Sequence, residues 1–266
     1  MDFKVYPDSR IAKLPRLLQF PALLIRNLIL KPSWMGRKTS SDSFAFAADG
    51  TGTNHFCPFL ADSEFDAAYK QMIAWWFDQP LDCRWRMWVL TRCARQCGRL
   101  PGSFVEFGVY RGGCAFMILS TSSLAENRRY FLFDTFAGIP ETHLTPGESA
   151  MGFAGRLSNT SVSFVRNVLQ AWDKQLTFVA GDVFDTLPKT ETGDVAFCHL
   201  DLNASQPTQA SLDYVYPRLL PGAMLVMDDY GWAGYEDQRA VIDRFFAAKK
   251  ESVLCLPTGQ ALVVKL

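Results

Sequence analysis

Histidine is scarce in this chain, three in 266 residues, which disfavours a histidine-built metal centre. Net charge is absent. With 27 Lys and Arg against 27 Asp and Glu, no overall field draws a polyanion, and nucleic acid is not an expected partner. No apolar run approaches the roughly 20 residues of a membrane span; the stretch 14–29 is broken by Pro15, Arg16, Pro21 and Arg26. The uncharged run 17–25 contains Gln19 and Pro21 and is followed by no small-residue cleavage site, so no secretory leader is expected and the chain reads as cytoplasmic. The seven cysteines are odd in number and scattered, and Cys93 and Cys97 form C-x3-C rather than C-x2-C. Neither a disulfide framework nor a zinc site emerges, and buried reduced thiols are expected. The G-x-G-x-x-G of dinucleotide sites is also missing.

What is present divides the chain near residue 62. Residues 1–40 carry eight basic residues against Asp2 and Asp8, with leucines between them. This basic arm reads as a helical segment packing on its own core or on a second subunit, in preference to a strip lying on an anionic membrane surface. The Gly, Ser, Thr, Asp and Asn of 36–63 read as a connecting loop or flap. From 63 to 266 the pattern is that of one α/β domain. Ser63 is read as the N-cap of a first leading helix through Trp76, and Trp85, Trp88 and Val89 begin a second that ends near Gly98, their aromatics taken as core. Strands are expected at 104–107, 130–133, 177–180, 195–200, 224–227, 253–256 and 261–265. Helical stretches are expected at 114–126, 158–173, 207–219 and 236–248, with a turn at 183–187. Alternating strands and helices predict a doubly wound, mostly parallel seven-stranded sheet, closed by an antiparallel hairpin around Pro257-Thr258-Gly259.

In such a sheet, ligands bind beyond the carboxyl ends of the strands. The first strand exits through Glu106-Phe107-Gly108-Val109-Tyr110-Arg111-Gly112-Gly113, where Gly108 permits a sharp turn and Gly112-Gly113 open a helix. The second ends at Phe133-Asp134-Thr135-Phe136, an acid placed for ribose hydroxyls. Gly181-Asp182 after the third strand offers an acceptor for an adenine amino group. Three matched strand ends suggest an adenosine ligand. The fourth and fifth strands exit through His199-Leu200-Asp201-Leu202-Asn203 and Asp228-Asp229-Tyr230-Gly231. Adjacent carboxylates repel unless neutralised, so Asp201, Asp228 and Asp229 are candidate ligands of a hard divalent cation. The segment 137–157, rich in Gly and Pro, is too long for a simple connection and reads as a lid.

The strand-exit motifs, with Phe133-Asp134-Thr135-Phe136-Ala137-Gly138-Ile139-Pro140 and Tyr216-Pro217-Arg218-Leu219-Leu220-Pro221-Gly222, resemble the macrocin O-methyltransferase family over about residues 80–266. The resemblance implies a class I, Rossmann-like methyltransferase using S-adenosyl-L-methionine (SAM), with Mg2+ on Asp201, Asp228 and Asp229. It implies transfer of a methyl group to a hydroxyl of a sugar or natural-product-like acceptor. The donor contacts would come from Glu106, Gly108, Tyr110, Gly112, Asp134, Thr135, Phe136, Gly181 and Asp182. The family often shows Asp-Gly-Asp where this chain has Asp201-Leu202-Asn203, and an arginine where His199 stands. Asp201 is the first candidate for the base, and His199 either a base or a group behind it. A homo-oligomer, with dimerisation through the arm, is the expected assembly. Two rival readings are a nicotinamide-dependent oxidoreductase, which the missing G-x-G-x-x-G disfavours, and a peripheral membrane or scaffold protein with a vestigial site.

Overall fold

The computed structural model describes residues 44–77 and 81–266, so the expectations for the basic arm lie outside the described residues. A unit running from Ala45 to Leu266 is built on the predicted seven-stranded sheet. Its strands are β3 (Ser103–Phe107), β4 (Tyr130–Asp134), β5 (Leu176–Ala180), β6 (Val195–Leu200), β7 (Leu219–Met227), β8 (Leu254–Cys255) and β9 (Ala261–Val264), in the order β5-β4-β3-β6-β7-β9-β8. The first five are parallel, and β9 runs antiparallel to both β7 and β8. The strand order reverses between β3 and β6, which is where a doubly wound sheet opens a crevice.

Period-two alternation sends each strand's side chains to two cores. On one face Phe104, Tyr130, Leu132 and Val226 pack with the leading helices α1 (Ser63–Trp76) and α2 (Arg84–Cys97) and with α3 (Gly113–Thr121). On the other, Val105, Phe107, Phe131, Phe133 and Leu225 pack with α6 (Val183–Thr186), α7 (Ser205–Val215) and α8 (Glu236–Phe246). All seven cysteines are free and six are buried, as expected of packed thiols. Among the described residues no helix is long and apolar enough to cross a membrane.

Several boundaries differ from expectation for identifiable reasons. Asp62, not Ser63, caps α1: its carboxylate accepts the Phe65 N–H at 2.9 Å, so Ser63 becomes the first helical residue. The expected loop over 36–63 contains a hairpin, β1 (Phe46–Ala48) with β2 (Thr51–Thr53). Its two-residue turn is Asp49-Gly50, both at positive φ (51° and 71°), a conformation that Asp and Gly tolerate. The segment 137–157 is not structureless, since it carries α4 (Pro146–Ala150) closed by a capping box between Thr145 and Glu148. The helix expected at 158–173 is the shorter α5 (Val162–Val168), followed by a 3-10 turn at Gln170–Gln175.

Candidate active site

The carboxyl ends of β3 to β7 open into one cavity of about 360 Å3, lined at one end by Gly108, Tyr110, Asp134, Thr135 and Asp182 and at the other by Asp201, Asp228 and Asp229. The sequence motifs, up to 121 residues apart from Gly108 to Asp229, therefore share a single space.

At the first end the main chain organises the site. Asp134 Oδ2 accepts the N–H groups of Val109 and Tyr110, both at 2.7 Å, and Oδ1 accepts that of Phe136 at 2.6 Å. Burial pushes the Asp134 carboxyl above its ordinary pKa, and those amides oppose the shift. The carboxylate thus fixes the β3–α3 turn while still facing the cavity. Gly108 has φ 84°, and a Cβ there would lie 1.8 Å from the Asp201 carbonyl oxygen. The glycine is required because the exits of β3 and β6 touch. Asp182 caps α6 through Phe184 N–H at 3.0 Å, and its Oδ2 meets His143 Nε2 at 2.6 Å. His143 belongs to the 137–157 segment, which is also tied by Ser205 N–H to Glu148 Oε1 at 2.6 Å and by Thr145 Oγ1 to Asp237 at 2.5 Å.

At the other end side chains do the organising. Ligand atoms of Asp201, Asp228 and Asp229 all lie within 4.8 Å of one another. Asn203, at φ 57°, donates from one amide nitrogen to Asp201 Oδ1 (2.7 Å) and Asp229 Oδ2 (2.8 Å). Arg86 donates to Asp228 Oδ2 at 2.7 Å and to both oxygens of Asp49 at 2.6 and 3.1 Å, with its guanidinium 5.3 Å from the Trp232 ring centroid. Gln260 donates to Asp228 Oδ1 at 2.8 Å. Burial opposes charge on Asp228, but Arg86 and His199 outweigh it and hold the carboxyl below the usual range. Asp201 is pushed up to about 7 by burial and by the charge of Asp228. Asp229 is raised well above its ordinary value by burial and by both neighbouring acids. Three clustered carboxylates with repulsion left unrelieved suit a hard cation, for which oxygen ligands are the preferred set.

Not every predicted site residue reaches the cavity. Glu106 is fully buried behind it, hydrogen-bonded by Tyr130 Oη, because its face of β3 points to the α1–α3 core. His199, its register partner on β6, is likewise fully buried, 3.9 Å from Glu106 Oε2 and 3.8 Å from Asp228 Oδ1. Burial works against its charge, but Asp228 and Glu106 prevail and push the imidazole up to about 10. It underlies Asp228 and does not line the cavity, so the base reading of His199 is set aside. Gly112 and Phe136 shape the loops rather than the lining. Gly112 caps α3 at φ 82°, and Phe136 packs against Phe178. Sequence reading missed Asp49, Arg86, His143 and Gln260. The Asp49-Gly50 pair was a hairpin signal; the other three carry no local one.

The family model described as Macrocin-O-methyltransferase (TylF) matches residues 79–253. The chain belongs to this family. It is 32% identical over 142 residues to the 8-demethyl-8-(2,3-dimethoxy-alpha-L-rhamnosyl)-tetracenomycin-C 4'-O-methyltransferase of Streptomyces olivaceus, covering 49% of this chain and 54% of that one. It is 29% identical over 151 residues to the demethyldecarbamoylnovobiocin O-methyltransferase of Streptomyces niveus, covering 51% and 58%. The chain thus spans a little over half the length of these curated relatives. Among solved structures, the O-methyltransferase NovP superposes with a TM-score of 0.61 at 23% identity, over 68% of this chain and 79% of that one. That likeness is one of fold, the class I Rossmann-like arrangement.

Proposed function

We propose that this member of the macrocin O-methyltransferase family transfers a methyl group from SAM to a hydroxyl of a sugar-bearing or similar natural-product-like small molecule, with Mg2+ or another hard divalent cation at the acid cluster. The observation that carries this is the continuity of one cavity from Asp134 and Asp182 to Asp201, Asp228 and Asp229. The names of the relatives support the sugar or natural-product class of acceptor.

Methyl transfer from a sulfonium is an in-line displacement, so the protein's task is to align donor carbon with acceptor oxygen and remove the hydroxyl proton. Asp134 accepts a ribose hydroxyl on the lone-pair site that the three loop amides leave free. Asp182, shared with His143, faces the adenine end. Asp201 lines the cavity and takes the acceptor's proton on a carboxylate oxygen. Trp232 and Tyr235, also lining it, supply flat surfaces for the acceptor. A divalent cation held by Asp201, Asp228 and Asp229 would supply a lowered hydroxyl pKa and a fixed orientation. The segment 137–157 excludes water, through its ties to Asp182, the first turn of α7 and α8.

We place the protein in the cytoplasm, a reading that free buried thiols support, and take it to be a homo-oligomer. In it the basic residues 1–40 serve as an arm in preference to a membrane contact. The deciding experiment is transfer of labelled methyl from SAM to glycosylated acceptors bearing vicinal hydroxyls, with and without EDTA. Turnover should fall at least about a hundredfold on chelation, while binding of S-adenosyl-L-homocysteine (SAH) persists. Full activity in EDTA would overturn the cation's role, and absence of SAH binding would overturn the methyl-donor reading.

A further inference from the structure

The family match begins at residue 79, but one wall of the acid cluster lies before it. Asp49, at the turn of the β1–β2 hairpin, lines the same cavity as Asp201, Asp228 and Asp229, and its side chain is only 5% exposed. A carboxylate at a hairpin tip is ordinarily left to solvent. This one is turned inward. Two further contacts seat the hairpin: Gly50 rests against Trp232, where an added Cβ would lie 3.4 Å from Cη2, and Thr51 Oγ1 donates to the Pro257 carbonyl at 3.1 Å.

What Asp49 meets there is Arg86. Nε and Nη2 of the guanidinium donate to the two oxygens of Asp49, while Nη1 alone reaches Asp228 Oδ2. The paired edge of the fork therefore goes to the hairpin acid and the single nitrogen to the cluster acid. This division has an electrostatic consequence. A lone guanidinium beside Asp228 would orient that carboxylate but would also repel a divalent cation, in a site where water does little screening. Paired with Asp49, Arg86 brings no net charge. Asp228 accepts one N–H on each oxygen, from Arg86 and from Gln260, and a carboxylate has about four lone-pair sites, so it keeps others for a cation.

We propose that Asp49 is a positioning residue for the acid cluster: its carboxylate holds the Arg86 guanidinium and cancels its charge, so that Arg86 orients Asp228 without driving a divalent cation away. The β1–β2 hairpin, outside the family match, is then a working part of the site. The inference rests on the cation reading, and its test separates the two. Mg2+ binding to the SAH-loaded protein is measured by calorimetry, independently of turnover. Asp49→Asn keeps the shape and an acceptor for Arg86, removes the charge, and puts the favoured Asn-Gly pair in the turn, so the hairpin is retained. It should weaken Mg2+ about tenfold or more and leave SAH within about twofold. Asp49→Asn combined with Arg86→Gln replaces one neutral pair by another and keeps a donor for Asp228. This double variant should bind Mg2+ within about threefold of the wild type. Unchanged or tighter Mg2+ binding by Asp49→Asn would overturn the proposal in favour of a packing role for the hairpin. A double variant as weak as the single one would also overturn it, because the effect would not run through the charge of Arg86. Wild-type protein that takes up SAH but no Mg2+ would instead overturn the cation reading, and this role of Asp49 with it.

Discussion

The two ends of the cavity stabilise buried carboxylates in opposite ways. Asp134 is held by main-chain amides of its own loop and of the turn 24 and 25 residues earlier. Asp228 is held by side chains, Arg86 from 142 residues earlier and Gln260 from 32 residues later. Main-chain donors come with the turn itself, so any sequence that makes the turn makes the site. Side-chain counter-charges must be delivered by separate elements, and each can be altered independently. On the proposed reading, the donor end is accordingly a fixed cradle, and the acceptor end a tunable charge balance. Mutations at the two ends should fail differently.

The largest effect should follow loss of Arg86. Its side chain is 14% exposed and bridges Asp49 and Asp228, whose side chains are 5% and 8% exposed. Arg86→Met leaves two buried carboxylates facing each other, a situation that costs about 3–5 kcal/mol when one partner of a buried pair is removed. Adding Asp49→Asn removes one orphaned charge, so the double variant should be more stable than the single one. Urea unfolding measures both. A loss below about 1 kcal/mol would make Arg86 an ordinary surface pair and remove the contrast between the ends.

At the donor end of the proposed site, Asp134→Ala should weaken SAH by about 1.5–3 kcal/mol, the value of one hydrogen bond to a charged acceptor. The same change orphans three loop amides, so the melting temperature should fall as well. Gly108→Val should be a folding mutation before it is a binding one, because the added Cβ meets the Asp201 carbonyl rather than a ligand. If that variant folds normally and loses only SAH, the contact between the two strand exits is unimportant.

These contrasts explain what could be read from the sequence. The seven strands, their mostly parallel arrangement and the acids at their ends were legible, because apolar runs alternate with helical stretches and Asp134, Asp201 and Asp228 each stand at the end of one. Direction along a strand was legible only in part. Alternation puts His199 on the side of Asp201, but it also makes Glu106 its neighbour in a closed core, and nothing local reports that the cavity begins two residues beyond. Arg86 and Gln260 were invisible because a helix position and a strand-edge position acquire meaning only when the sheet brings them to Asp228.

The pH dependence of the metal-free protein should show the charge balance directly. Burial and neighbouring acids raise Asp201 to about 7 and hold Asp229 well above its ordinary value. A carboxyl with a raised folded-state pKa keeps a proton that the unfolded chain has released. Its stabilising contribution is present below pH ~3.8 and is lost as pH rises through about 7. Asp229→Asn, which keeps an oxygen for Asn203, should gain about 1–2 kcal/mol at pH 8 without metal, the scale of one pKa unit or slightly more. Saturating Mg2+ should flatten the slope in the wild type and do little in the variant. An unchanged slope in Asp229→Asn would mean the acids do not set it.

The smallest effect belongs to His143, where the segment 137–157 meets Asp182. Its Nε2 lies 2.6 Å from Asp182 and its ring 4.4 Å from that of Phe184, but both partners of the pair are partly exposed, at 24% and 22% of their side chains. Solvent screens such a pair, and the other ties through Glu148 and Thr145 remain when it is cut. His143→Ala should therefore cost about 0.5–1 kcal/mol in SAH affinity. It should act on the dissociation rate more than on association, since the segment must open before the ligand leaves. Stopped-flow binding separates the two rates. A slower association with unchanged release would show that His143 shapes the open entrance rather than holding the cover closed, and would move this residue from the lid to the cradle side of the comparison.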